Sequence, residues 1–308
     1  MAPKVGIVIP NYNDWEDTVN CLESLEKQTV QNFEVILLDD CSTNDSVERL
    51  ERVIPTKKIP IVFIPQKENR GFSATTNNGM RRALADGADW VLLLNNDTLC
   101  APDMIETLLR ETPPKAVSCP KMLFMMHPHE IWFAGGRLDR KTGRVEHLGG
   151  HQTDSPAFSE KQEVNFITFC CVLLPRAAIE ELGYLDETLF MYCEDVEYCI
   201  RLADAGYTLW YLPDAKLWHR AGASAGGMLN CYYVTRNTLY LTCMDMSPLR
   251  KKWEIAKVLV PGAARYLFTR LLRRQRGRSY GVYRGALDYA AGKMGRMETP
   301  PFAEDTTE

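Results

Sequence analysis

Four short apolar runs restrict this chain more than any other feature: Val5 to Pro10, Val35 to Leu38, Ile61 to Ile64 and Val91 to Leu94, each ending abruptly in polar residues. A run of that length without polar alternation reads as a strand buried on both faces, which requires helices above and below a parallel sheet. The intervening stretches supply them. Asp14 is placed to cap a helix in which Val19, Leu22 and Leu25 repeat at helical spacing, and a second helical stretch covers Asn77 to Ala85. The alternation predicts an α/β chain with a mostly parallel, doubly wound sheet.

Such sheets bind ligands beyond the carboxyl ends of their strands. The first candidates are therefore Pro10, Asn11, Tyr12 and Asn13 after the first run, Asp39 and Asp40 after the second, and Asn95, Asn96 and Asp97 after the fourth. No Gly-x-Gly-x-x-Gly occupies the first turn, which argues against a dinucleotide-dependent oxidoreductase. Asp97 at a strand end can hold a hard divalent cation, and the competing reading is a plain Asx turn. Two ionised acids at Asp39 and Asp40 can accept hydrogen bonds from a pyrimidine N–H and ribose hydroxyls, against another turn built by Ser42 and Asn44 to Ser46. Asn69 to Gly79, with Gly71 and Gly79 near its ends and small residues between, reads as a loop that brings backbone close to a ligand.

Composition sets the compartment and the limits. A chain of 308 residues, 45% hydrophobic, suits one large domain or two small ones, and no apolar run approaches bilayer length. With no leader pattern, the expected location is cytoplasmic, extending to the inner membrane face. The ten cysteines lack zinc-site spacing and read as buried thiols. Net charge is only −4, yet Arg250, Lys251, Lys252, Lys257, Arg265, Arg270, Arg273, Arg274, Arg276, Arg278 and Arg284 crowd the stretch from Leu249 to Arg284 against the single acid Glu254. That asymmetry marks a separate segment.

Five stretches, in order, carry a resemblance: VGIVIPNYN at the start, VILLDDCSTNDS from Val35, NRGFSATTNNG from Asn69, ADWVLLLNNDT from Ala88 and LFMYCEDVEYCIRLADAGY from Leu189. Over residues 4 to 240 the chain resembles family 2 glycosyltransferases of the GT-A fold, particularly the rhamnosyltransferase-like branch. The resemblance implies a nucleotide-sugar site formed by Pro10, Asn11, Tyr12, Asn13, Asp39 or Asp40, Ser42, Asn69, Gly71, Phe72, Asn77, Asn95 and Asn96. Asn95 to Asp97 replaces the family's Asp-x-Asp motif, so Asp97 carries the metal duty, with His219 of WHRAGAS, after a last strand over Leu209 to Leu212, as second ligand for Mg²⁺ or Mn²⁺. Asp195 is implied as the general base in a single displacement that inverts the anomeric carbon, and Glu194 orients the acceptor or a basic side chain. Val196, Cys199, Ile200 and Ala203 recur at helical spacing, so both acids sit in the first turn of a helix ended by Gly206, where the macrodipole alone would explain them.

Trp132, Gly135, Gly136 and Arg137, with Thr168, are the candidate acceptor platform, since aromatic faces pack on sugars. His127, His129, His147 and His151 read as solvated or locally bonded. The domain reading is a catalytic unit over 1–245, donor binding in about 1–100 and acceptor binding beyond, followed by a basic amphipathic helical segment over 246–308 with a disordered tail. That segment mixes Trp253, Leu259 and Phe268 with its cations and suits an anionic membrane surface, cover for the catalytic unit, or a homodimer contact; no nucleic-acid motif accompanies it. The expected activity is transfer from dTDP-rhamnose or a UDP-sugar to a glycan or lipid-linked acceptor. The alternative is a silent sugar-nucleotide or glycan-binding module.

Overall fold

The computed structural model describes residues 3–221, 227–272 and 276–298. The first half runs β1 (Val5–Asn11), α1 (Trp15–Leu25), β2 (Phe33–Asp39), α2 (Ser46–Val53), β3 (Ile61–Pro65), α3 (Gly71–Ala85) and β4 (Trp90–Leu94). It continues through β5 (Thr98–Cys100), α4 (Met104–Glu111), β6 (Ala116–Phe124), β7 (Ile131–Phe133), β8 (Gly136–Asp139), β9 (Arg144–His147), β10 (Gln162–Val164) and β11 (Cys171–Pro175). Then come α5 (Arg176–Leu182), α6 (Glu194–Asp204), β12 (Thr208–His219) and three closing helices, α7 (Met228–Cys243), α8 (Pro248–Leu272) and α9 (Arg276–Ala290).

All four apolar runs are strands, and they pair in parallel in the order β3, β2, β1, β4. β11 then joins antiparallel to both β4 and β6, and β12 lies parallel to β6. Ile7, Val8, Ile9, Leu92 and Leu93 are shielded on both faces, as unalternating runs must be. Chain order reverses on either side of β1, so the ends of β1 and β4 open a crevice there. That crevice receives Asn11 and the turn Asn95 to Asp97.

Three local expectations change. Asp14 stands before α1, but its side chain makes no cap; it turns instead toward Arg220, 3.8 Å away. The segment expected as a ligand loop over Asn69 to Gly79 is mostly helix, because α3 begins at Gly71 and buries Ser73, Thr75, Thr76 and Asn77. Gly71 is needed for backbone reasons: its φ is +82°, and a Cβ there would lie 2.5 Å from the Phe190 carbonyl oxygen. The last strand, expected over Leu209 to Leu212, extends to His219 through an irregularity between Leu212 and Lys216 that inserts extra residues opposite β6.

The helical extension begins at Met228, earlier than the composition shift at 246. α9 lies directly on α7, and side chains are missing where the helices touch: a Cβ on Gly281 or Gly285 would stand 2.4 Å from the carbonyl oxygens of Met228 and Tyr232. α8 packs on α9 through Tyr266, whose ring meets Tyr280 and Tyr283 at 5.3 and 5.8 Å. Leu259 turns inward toward Cys243 and Ala286, whereas Trp253 and Phe268 face outward and cover nothing in the catalytic sheet. Arg273, Arg274 and the tail from 299 lie outside the described residues.

Candidate functional site

Asn11 and Asp39 are register partners at the ends of β1 and β2, and they are bonded to one another. Asn11 Nδ2 donates to Asp39 Oδ2 at 2.6 Å, and the Ser42 hydroxyl donates to the same oxygen at 2.6 Å while its N–H reaches Oδ1 at 2.7 Å. Asp39 is fully buried, so this carboxylate shapes the loop wall. Asn13, at φ +60°, fastens the neighbouring loop by accepting from the backbone N–H groups of Thr43 and Asn44. Tyr12, 44% exposed, presents an open ring at the crevice rim beside Pro10.

Asp40 points the other way and holds the start of α3, accepting from the N–H groups of Arg70 and Gly71, each at 2.9 Å. Burial raises its carboxyl above the usual range. Asn69 and Phe72 flank this helix start, half-buried. Asn77 is drawn away from any crevice: it is fully buried, exchanging hydrogen bonds with the Leu185 backbone at 2.9 Å and reaching Glu187 at 3.1 Å. The signal that suggested a ligand contact, a polar residue near glycines, reflects helix anchoring.

The turn after β4 is tied to β11, with the Asn95 N–H on the Cys170 carbonyl at 2.8 Å. Asn96 turns its amide nitrogen inward to Asn11, Thr18 and the Asp14 carbonyl at 3.0–3.2 Å. Asp97 faces His219, whose Nε2 lies 3.1 Å from Oδ2. Strand β12 makes this meeting possible: beyond its irregularity, Leu217 to His219 pair antiparallel with Thr98 to Cys100. His219 is 7% exposed, lies against the Trp132 ring with centroids 4.2 Å apart, and leaves Nδ1 without a hydrogen-bond partner among the described residues.

One carboxylate and one imidazole fit a divalent cation that completes its shell with oxygens from a bound ligand and water. Among the described residues no group of three or more His, Cys, Asp or Glu side chains could hold a metal. Sequence reasoning missed the neighbours that complete this edge. Arg220 lies 2.8 Å from Asp17 and its N–H bonds the Asp97 carbonyl, while burial, then the nearby Asp14, pushes the Asp17 carboxyl up to about 6.

Glu194 and Asp195 open α6, as the helical spacing predicts. Burial pushes Glu194 up to about 8, with the Asp195 charge adding to it, and Glu194 Oε2 finds no hydrogen-bond partner among the described residues. Burial also pushes Asp195 up to about 6, opposed by hydrogen bonds from backbone N–H groups and from the Thr168 hydroxyl. The segment Thr168 to Cys170 therefore touches both halves of the site: its hydroxyl meets Asp195, and its carbonyl end meets Asn95. Arg201 serves Glu197, at 2.7 Å, and two backbone carbonyls. All ten cysteines are free, with Cys41, Cys193 and Cys231 only half-buried. Burial pushes the Cys193 thiol up to about 12, which removes it as a nucleophile at neutral pH.

Of the acceptor candidates, Trp132 is half-buried against His219 and Thr168 lies against Asp195. Gly135 and Gly136 have packing reasons, since added Cβ atoms would stand 2.8 Å from Val164 and 2.5 Å from Phe166. Arg137 projects from the small β8–β9 ribbon, exposed. Of the four histidines, His151 pairs with Glu130 at 2.7 Å and His147 packs on Trp132 and Phe133.

Comparison with known proteins converges. A curated relative, the N-acetylglucosaminyl-diphospho-decaprenol L-rhamnosyltransferase of Mycobacterium tuberculosis, is 25% identical over 73% of this chain and 79% of its own. Glycosyltransferase GlyG of Streptococcus pneumoniae is 33% identical and an uncharacterized glycosyltransferase of Haemophilus influenzae 32%. Those two matches cover 37% and 40% of this chain and only 37% and 38% of the relatives' own length. Among solved structures, GalNAc-T7 with UDP, GalNAc and Mn²⁺ superposes with a TM-score of 0.65 at 15% identity, over 94% of this chain and 58% of that one. The Pyrobaculum calidifontis mannosyltransferase with GDP-Man and Mn²⁺ gives 0.58 at 14% identity, over 95% and 88%. These likenesses establish the GT-A fold. The model of "Glycosyl transferase family 2" matches residues 6–183, more than half of the chain, and the protein belongs to that family.

Proposed function

We propose that the protein is an inverting, divalent-metal-assisted glycosyltransferase, taking a sugar from dTDP-rhamnose, or next from a UDP-sugar, to a glycan or lipid-linked acceptor. The observation that carries this reading is the joining of two unlike acid sites by one short segment, Thr168 to Cys170. Asp97 and His219 would hold Mg²⁺ or Mn²⁺, which supplies charge neutralisation for a departing diphosphate. Asp195 would accept the proton of the acceptor hydroxyl as its oxygen attacks the anomeric carbon opposite the diphosphate. A midpoint near 6 keeps it basic enough for that work and ionised at neutral pH. With one displacement and no protein nucleophile, configuration inverts once. A rhamnose donor is supported by the likeness to the mycobacterial L-rhamnosyltransferase, and nucleotide-sugar use by the ligands of the solved neighbours. Donor hydrolysis across a panel of nucleotide sugars, followed by NMR of the anomeric proton of the product, tests donor and stereochemistry together. Turnover of no donor would favour the silent binding module.

The C-terminal segment over 246–308, beyond α7, engages membrane or acceptor on this reading and contributes no chemistry of its own. Along α8, Leu249, Trp253, Val260, Leu267 and Leu271 recur on one face, each 58% to 82% exposed. Lys252 and Arg270 flank that stripe on one side and Arg250 and Lys257 on the other, as helical spacing places them. Apolar insertion between cationic flanks suits an anionic lipid surface. Among the described residues no helix is long and apolar enough to cross a membrane.

A further inference from the structure

The segment between Leu189 and Cys193 has a backbone that such residues avoid. Phe190, Tyr192 and Cys193 have φ of +66°, +64° and +68°, and none is glycine. Left-handed conformations at bulky residues persist only where surrounding contacts over-determine them, and they concentrate at functional sites. Here the last of the three is the residue that enters α6 directly before Glu194 and Asp195.

The contacts come from α7, outside the stretch matched by the family model. Asn237, fully buried, directs its side-chain amide at three carbonyls of the segment: Leu189 at 3.0 Å, Met191 at 2.9 Å and Tyr192 at 2.8 Å. Arg236, also fully buried, donates to Leu189 at 2.9 Å and to the Gly295 carbonyl, accepts support from the Tyr232 and Tyr233 ring faces, and orients the Asn237 amide by donating to its oxygen at 2.9 Å. The remaining carbonyl, Phe190, accepts from the Ser73 N–H at 3.2 Å, and the Phe190 ring stacks on Tyr233 at 5.3 Å. Every carbonyl from Leu189 to Tyr192 is thereby fixed, three of the four by one side chain. An arginine with no acid partner among the described residues and an asparagine spread over three carbonyls is an expensive arrangement for a surface loop, where water would satisfy the same groups.

We propose that Asn237, braced by Arg236, is a positioning residue that fixes the direction in which Asp195 enters the site, so that the helical extension is part of the transfer machinery. The inference rests on the reading of Asp195 as the base. It assigns the extension a task besides membrane contact.

A double-mutant cycle on the full chain tests it. Asn237→Ala should lower kcat by about tenfold to a hundredfold, as small misplacements of a reacting group do, with donor KM within about threefold of the parent. On an Asp195→Asn background the same change should cost less than about threefold more, because its effect runs through the carboxylate already removed. Thermal unfolding accompanies each variant, and Asn237→Ser, which retains one donor, replaces the alanine variant where that does not fold. Equal losses in both backgrounds, or a raised KM at unchanged kcat, would overturn the positioning role while leaving the base assignment standing. Parental kcat in Asp195→Asn alone would overturn the base assignment, and the positioning role with it.

Discussion

Replacing Glu194 by Gln should flatten the dependence of stability on pH above neutrality. The carboxyl is 8% exposed, carries an unpartnered oxygen, and has its midpoint pushed by burial from 4.5 to about 8. Between those two values the folded chain holds a proton that the unfolded chain has released, so stability falls as pH rises through the window and levels off above about 8. From pH 6.5 to 8.5 the loss is roughly 2 kcal/mol for a group moved that far, at about 1.4 kcal/mol per pH unit over the part of the interval below its midpoint. The Asp195 charge contributes to the shift, so the loss belongs to the pair as it gives up its shared second proton. Glutamine cannot ionise, so that slope should vanish. A buried amide with one unmet group can carry a cost of about 1–3 kcal/mol, but the cost is the same at every pH. Urea denaturation of parent and variant at pH 6.5 and 8.5 separates the two effects, because titrating groups away from this pair contribute equally to both proteins. An unchanged slope in Glu194→Gln would refute the argument that this acid is held in the fold against its own solvation.

Asp97→Ala, or excess chelator with the parent, should abolish transfer while the fold survives, with His219→Ala weakening metal affinity and costing less activity; isothermal titration with Mn²⁺ reads the first effect independently of turnover, and full activity in chelator would remove the metal assignment. Asp195→Asn should lower turnover at least about a hundredfold with nucleotide affinity nearly unchanged, and in the parent turnover should rise with pH through about 6 as that acid ionises. Asp39→Asn should show the reverse split, weaker donor binding with turnover at saturation retained, because its carboxylate accepts three hydrogen bonds that shape the crevice wall. In vesicle co-sedimentation the full chain should bind anionic but not neutral lipid, less so at high salt, and Leu267→Glu with Leu271→Glu should release it while donor hydrolysis in solution is unaffected; equal binding to both lipids, or to neither, would assign that face to packing or self-association.

The four parallel strands, their burial and the polar residues at their ends were legible because each depends on contiguous sequence. A strand covered on both faces must be apolar throughout, and the residue after it must leave the core, so Asn11, Asp39 and Asp97 could be placed at a sheet edge from the chain alone. The first turn of α6 was equally local, read from Val196, Cys199 and Ala203 at helical spacing. Where a side chain points once its backbone is placed is not local. Asp40 and Asn77 carry the same chemistry as their neighbours, yet one anchors α3 and the other anchors Leu185, because groups distant in sequence happen to need partners there. The pairing of Asp97 with His219 required an irregular strand to bring residues far apart in sequence within 3.1 Å. No spacing rule encodes the bracing of the Leu189–Tyr192 segment by Arg236 and Asn237, since hydrogen bonds to backbone carbonyls leave no residue-type signature on the segment that accepts them. Sequence determined the sheet and its chemical edge through burial, which acts residue by residue; the tertiary structure alone decided which polar groups are spent holding the fold and which remain for the reaction.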